Sequence, residues 1–132
     1  MPAQLLKGKP LADKIKDDVK KDVAELKAKG VSPSLVAIQV GQNTNAQKKN
    51  AEFCGIKYDL QELPADMTQE QLLKHIAGLN ADPNVTGIIM QMPVPEQIDA
   101  KVCQWSIAYE KDVEGITPYN MGLVTFGTPR LV

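Results

Sequence analysis

Apolar and polar positions along the chain alternate between two periods. Leu11, Ile15, Val19, Val23 and Leu26 recur at spacings of three and four, with Lys and Asp between them, which predicts an amphipathic helix over 10–29. Pro10 suits its first turn and Gly30 the position just past its end. Ser34-Leu35-Val36-Ala37-Ile38-Gln39-Val40 is a short apolar run between turn residues, the pattern of a strand buried on both faces. A polar loop follows over 41–47, then a short helix from Lys48 to about Cys54, ended by Gly55. Ile56 to Leu63 alternates loosely and predicts a second strand. Thr68 with Gln71 three residues on forms a capping box, opening a helix whose apolar face is Leu72, Leu73, Ile76 and Leu79. Asn80-Ala81-Asp82-Pro83-Asn84 ends it. Val85 to Gln91 predicts a third buried strand, stopped by Met92-Pro93-Val94-Pro95. A last helix is expected over about Asp99 to Ala108 with Val102 and Trp105 facing inward, and the tail from Tyr109 onward is rich in turn residues.

The order αβαβαβα, without repeats, predicts a three-layer α/β domain with a mostly parallel sheet. Right-handed crossovers bring the carboxyl ends of all three strands to one edge, where ligands of open parallel sheets bind. The loop after Val40, the region after Leu63 and the Gln91-Met92-Pro93-Val94-Pro95 turn therefore meet at the expected site. At 132 residues the chain is expected to form one domain over 1–132, able to bury roughly two-thirds of its unfolded surface without a metal or disulfide.

Composition narrows the function. Fifteen Lys and Arg against 16 Asp and Glu leave no basic excess for a nucleic-acid face. No apolar run approaches a membrane span, and Met1 to Lys7 lacks a secretory pattern, so the cytoplasm is the expected compartment. Cys54 and Cys103 stand apart, and His75 is the single histidine, so no zinc site and no redox role are assigned. His75 reads as a surface or half-buried residue, and Trp105 as core. Neither Gly-x-Gly-x-x-Gly nor a P-loop occurs.

Three sets of residues could carry chemistry. Gln91, ending a strand just before Pro-x-Pro, offers amide donors and an acceptor at the rim, or it caps the turn. Lys111-Asp112-Val113-Glu114-Gly115 sets two carboxylates and a lysine beside a glycine turn, to grip a polar ligand or to stand as a solvated loop, the reading that residue chemistry alone favours. Lys48 or Lys49 would serve as a general acid if a pocket lowered its pKa; otherwise both are surface lysines.

Val40-Gly41, the Gln91-to-Pro95 turn, Glu110-Lys111-Asp112-Val113-Glu114-Gly115 and Thr117-Pro118-Tyr119-Asn120-Met121-Gly122 follow one another in an order that resembles the N-terminal, folate-binding domain of the bifunctional methylenetetrahydrofolate dehydrogenase/cyclohydrolase (FolD) family. Gly8-Lys9-Pro10-Leu11-Ala12 and Leu79-Asn80-Ala81-Asp82 extend the likeness over essentially the whole chain. The resemblance implies a tetrahydrofolate derivative as substrate and one-carbon chemistry. In the family a methylene group is oxidised with NAD(P), and the methenyl product is then hydrolysed. It gives Gln91 the role of assisting a catalytic lysine, places Pro93 in the substrate-binding turn, and sets Glu114 where a pterin-holding aspartate stands.

This chain departs from the family in three ways. The segment between Gly41 and Gly55 is several residues shorter than the family spacing and contains no tyrosine for the family's Tyr-x-x-x-Lys pattern. Counted forward, the family's tyrosine and lysine fall on Lys49 and Phe53; counted back, the lysine falls on Gln47. A gap after Gln47 brings Lys48 or Lys49 into register. Glu114 is one methylene longer than the aspartate. The sequence stops about where the family's NAD(P)-binding domain begins, so no cofactor is expected to bind this chain alone, and cyclohydrolase activity is the most it would show. Alternatives are a catalytically impaired folate-binding or regulatory relative, or a subunit that docks onto a full-length enzyme. The resemblance leaves a homodimer or association with such a relative as the expected assemblies, with folate as the small-molecule partner and neither nucleic acid nor membrane.

Overall fold

A computed structural model describes residues 7–41 and 47–131. The elements are α1 (Gly8–Ala28), β1 (Ser34–Val40), α2 (Gln47–Cys54), β2 (Lys57–Leu63), α3 (Gln69–Ala81), β3 (Gly87–Met90), α4 (Ala100–Trp105) and α5 (Pro118–Thr125). Most of the polar loop expected over 41–47 lies outside the described residues. The chain divides into two compact units, one from the described parts of 1–33 and 46–57, the other from those of 34–45 and 58–132.

In the first unit α1 packs against α2. Gly30, at φ +81°, closes α1 as its position predicts: its N–H reaches the Lys27 carbonyl and that of Val31 reaches Leu26. Only Val23 of the α1 stripe is fully buried, whereas Leu11, Ile15 and Leu26 are exposed. Gly55, at φ +78°, ends α2 in the same way, with Ile56 N donating to the Ala51 carbonyl. Lys16 and Lys20 set their ammonium groups over the Phe53 ring, 5.9 and 4.9 Å from its centroid.

The second unit holds the sheet, in the order β2-β1-β3. β1 and β3 run parallel, with Leu35 opposite Gly87 and Ile38 opposite Met90. Bonds from Lys57 N to the Pro33 carbonyl and from Gly41 N to the Leu63 carbonyl set β2 parallel to β1 as well. The fold is thus α/β with a parallel sheet, the class that the alternation predicts. Val36, Ile38, Val40, Ile88 and Met90 point to one face and pack against Leu72, Ile76 and Leu79 of α3 and Cys103 and Ile107 in and after α4. Ala37, Gln39 and Ile89 on the other face are buried too, which is why β1 reads as a continuous apolar run. β2 is an edge strand, and its exposure alternates accordingly.

Two expectations are corrected. Val102 and Trp105 do not face inward: they are 39% and 52% exposed, and the buried stripe is Ile98, Cys103 and Ile107. α4 is only six residues long, N-capped by Asp99 through Lys101 N and Val102 N. In so short a helix, two apolar stripes about 100° apart fit the sequence equally well, and the core takes the one that continues into Ile107. The tail is not simply turns. Thr117 caps α5 through Asn120 N, Pro118 occupies its first turn, and Gly127 follows it at φ +71°.

Candidate functional site

The carboxyl edge of the sheet gathers the ends of β1, β2 and β3. Gln91 sits where the sequence puts it: its N–H makes a last bond to the Ile38 carbonyl at 2.8 Å and its side chain is half-buried. The Met92–Pro93 peptide is cis, and Pro93 is exposed at the rim. The segments that leave β2 and β3 are tied together. Gln97 Nε2 donates to the Ala65 and Met67 carbonyls at 2.7 and 3.2 Å, and Asp99 N donates to Gln69 Oε1 at 2.8 Å.

Gln39, one residue from the end of β1, is a rim residue that sequence reasoning absorbed into an apolar run. It is 2% exposed; its Nε2 donates to the Gly41 carbonyl at 3.2 Å and to Glu62 Oε1 at 3.4 Å. Its Oε1 is buried with no hydrogen-bond partner. Two acceptors around Nε2 fix the orientation of the amide, since the flipped form would set oxygen against oxygen. The available signal was a polar residue that, with Ser34, interrupts the otherwise apolar strand.

Residues 111–115 are not simply a solvated loop, because Lys111 and Asp112 are bonded into the fold. Lys111 Nζ donates to the Leu79 and Asp82 carbonyls at 2.9 and 2.6 Å, so it caps the carboxyl end of α3. Asp112 is 0% exposed and bridges Ile88 in a short parallel extension of the sheet. Its carboxylate accepts Ile116 N at 3.2 Å, Thr117 N at 2.8 Å and Asn120 Nδ2 at 2.9 Å. Burial alone would push its pKa up; the hydrogen bonds from Asn120, Thr117 and Ile116 outweigh that and hold it below the ordinary carboxylate value. Of the motif's polar side chains, Glu114 alone stays available. Its side chain reaches solvent, while partial desolvation and the nearby Asp112 charge push its pKa up.

Lys48 and Lys49 are exposed on α2 in the first unit, with Lys48 Nζ 4.0 Å from Glu52. Gln91, Pro93 and Glu114 belong to the second unit, along and beside β3. His75, half-buried, pairs through Nε2 with Gln61 Oε1 of β2 at 2.7 Å. Cys54 and Cys103 are free and buried; burial, then the Asp99 charge, pushes the Cys103 thiol up. Among the described residues no group of three or more His, Cys, Asp or Glu could hold a metal, and no helix is long and apolar enough to cross a membrane. The described turns after β2 and β3 carry no glycine, and the one after β3 holds Pro93 and Pro95, which lack N–H donors.

Comparison with known proteins bears on the fold and the family. The bifunctional protein FolD of Moorella thermoacetica is 41% identical over 133 residues, covering 96% of this chain and 48% of that protein. The crystal structure of the bifunctional FolD enzyme from Campylobacter jejuni superposes with a TM-score of 0.89 at 39% identity, over 94% of this chain and 46% of that one. The Trypanosoma brucei methylenetetrahydrofolate dehydrogenase-cyclohydrolase, whose structure was solved with NADP and an inhibitor, gives 0.87 at 31% identity, over 99% and 47%. The chain thus spans about half the length of the curated relatives it matches. The family model for the catalytic domain of tetrahydrofolate dehydrogenase/cyclohydrolase matches residues 6–114, and the chain belongs to that family.

Proposed function

We propose that residues 1–132 form a folate-binding domain that acts on a tetrahydrofolate derivative in one-carbon metabolism. The observation that carries this reading is the family match over 6–114, which spans both the Gln91-to-Pro95 turn and Glu114. Gln91 and Glu114 offer complementary chemistry. An amide can donate and accept, and a carboxyl suits the adjacent N–H groups of a reduced pterin. Pro93 presents a rigid apolar surface beside them. Lys48 or Lys49 is the lysine we assign to proton transfer, and Gln91 is assigned to binding the folate.

The step we assign is hydrolysis of a methenyl bridge, in which water adds to the bridging carbon and one C–N bond breaks to leave a formyl group. It needs proton transfers and no electron acceptor. No hydride step is assigned to these residues. The compartment we assign is the cytoplasm.

The test follows the absorbance of 5,10-methenyltetrahydrofolate with the parent chain, Lys48→Ala and Lys49→Ala. Hydrolysis above the buffer rate, lost in one lysine variant whose folate affinity is kept, is the expected result. Equal rates in the parent and both variants would remove the two lysines from the chemistry. A parent rate equal to that of buffer would remove the hydrolytic function.

A further inference from the structure

We infer that Asp112 and Asn120 are positioning residues for Glu114, and that the buried hydrogen bond between them fixes the turn carrying that carboxyl. The inference rests on the reading of Glu114 as a folate-binding residue. The residues on either side of Glu114 are held in place. On one side, Ile88 N donates to the Lys111 carbonyl at 2.8 Å, and Val113 lies so close over Gly87 that a Cβ there would sit 2.7 Å from Val113 Cγ1. On the other side, Gly115, at φ +66°, donates its N–H to the Asp112 carbonyl at 3.3 Å. Ile116 N and Thr117 N then close onto the Asp112 carboxylate.

Asn120 completes the arrangement. It is 1% exposed, and its Nδ2 spans the Tyr109 carbonyl at 2.9 Å and Asp112 Oδ2 at 2.9 Å, joining the residues before and within the turn to the first turn of α5. Among the described residues no cation pairs with Asp112, so oriented N–H groups alone hold its charge. Lys111 is committed to the α3 carbonyls, and Glu110 faces Tyr109 and Arg130. Asp112 is therefore the charge that acts on Glu114. A turn fixed at both ends presents a carboxyl at low entropic cost, whereas a loose one must be ordered by the ligand.

The test measures calorimetric affinity for tetrahydrofolate, well below the unfolding transition, in the parent, Asp112→Asn, Asn120→Ala, Glu114→Gln and the Asp112→Asn/Glu114→Gln double variant. It also follows the Glu114 carboxyl by NMR titration without ligand. Asp112→Asn and Asn120→Ala should each raise Kd about tenfold, the size of one lost positioned contact. On the Glu114→Gln background, Asp112→Asn should change Kd by less than about twofold, because its effect runs through Glu114. Without ligand, Glu114 should titrate lower in Asp112→Asn and keep its raised pKa in Asn120→Ala, where the charge remains.

A purely structural Asp112 would lower stability yet leave the affinity of folded molecules unchanged, or weaken it equally on both backgrounds. Either result overturns the inference. Should Asp112→Asn fail to fold, Asn120→Ala carries the affinity test alone, and parent affinity in it overturns the inference. Failure of the parent to bind tetrahydrofolate would defeat the functional reading instead. Positioning would then be judged on Glu114 itself, and an unaltered Glu114 resonance in Asn120→Ala together with an unaltered Glu114 titration in Asp112→Asn would overturn it.

Discussion

Two carboxylates two residues apart, Asp112 and Glu114, are driven to opposite behaviour by their surroundings. Asp112 is buried and satisfied by three donors, so Asp112→Ala should cost about 3 kcal/mol in urea unfolding, because Ile116 N, Thr117 N and Asn120 Nδ2 all lose their acceptor. Its pKa is held below the ordinary 3.8 in the folded state. The stability it provides is therefore complete above that value and lost as the pH falls through the folded pKa. Glu114 works the other way: with its folded pKa above the ordinary 4.5, its contribution declines as the pH rises through that window. Unfolding curves should accordingly show an acid loss below about pH 4 that shrinks in Asp112→Ala, and a shallow decline above about pH 4.5 that shrinks in Glu114→Gln. An acid limb unchanged by Asp112→Ala would show that the carboxylate is not held as described. Residue chemistry alone does not separate the two, since the difference comes from Asn120 and Thr117, which reach Asp112 only in the folded chain. Gln39 was hidden for a related reason: strand periodicity marks a position as buried, whatever its polarity.

Among the elements, those with local signals were the legible ones. Thr68 and Gln71 form both bonds of their capping box, at 2.9 and 3.3 Å, and β1 keeps its expected limits of Ser34 and Val40. Inward-facing residues of α4 were not legible, because a six-residue helix leaves too few positions to choose between stripes. Trp105→Ala should accordingly cost less than about 1 kcal/mol, against 2–4 for Ile107→Ala, an order that thermal unfolding of the two variants checks. A larger loss at Trp105 would contradict its exposure. α5 announced itself through Thr117-Pro118 and Gly127, signals outweighed by the turn-rich composition around them. Gly87 joins β3 to the turn that bears Glu114. Gly87→Ala forces Val113 Cγ1 and Leu35 Cδ1 to move, so it should destabilise by about 1–3 kcal/mol and weaken folate binding as well. Unchanged stability and binding would mean that Val113 moves aside freely.

At the scale of the molecule, the alternation of helix and strand was enough to predict a parallel α/β sheet and to direct attention to its carboxyl edge. Gln91 and Pro93 lie there, and Asp112 extends the sheet beside β3 toward Glu114. What pattern could not supply was which polar residues hold the fold and which remain free for a ligand. Lys111 and Asp112 belong to the first group, since the α3 carbonyls and the α5 N-terminus need them. The most direct test of the central claim is a calorimetric titration of the purified chain with 5,10-methenyltetrahydrofolate, repeated with Glu114→Ala and Gln91→Ala. Saturable binding to the parent, at least about tenfold weaker in each variant, is the predicted result. Absence of binding to the folded parent, or binding untouched by both substitutions, would contradict a folate site on this edge.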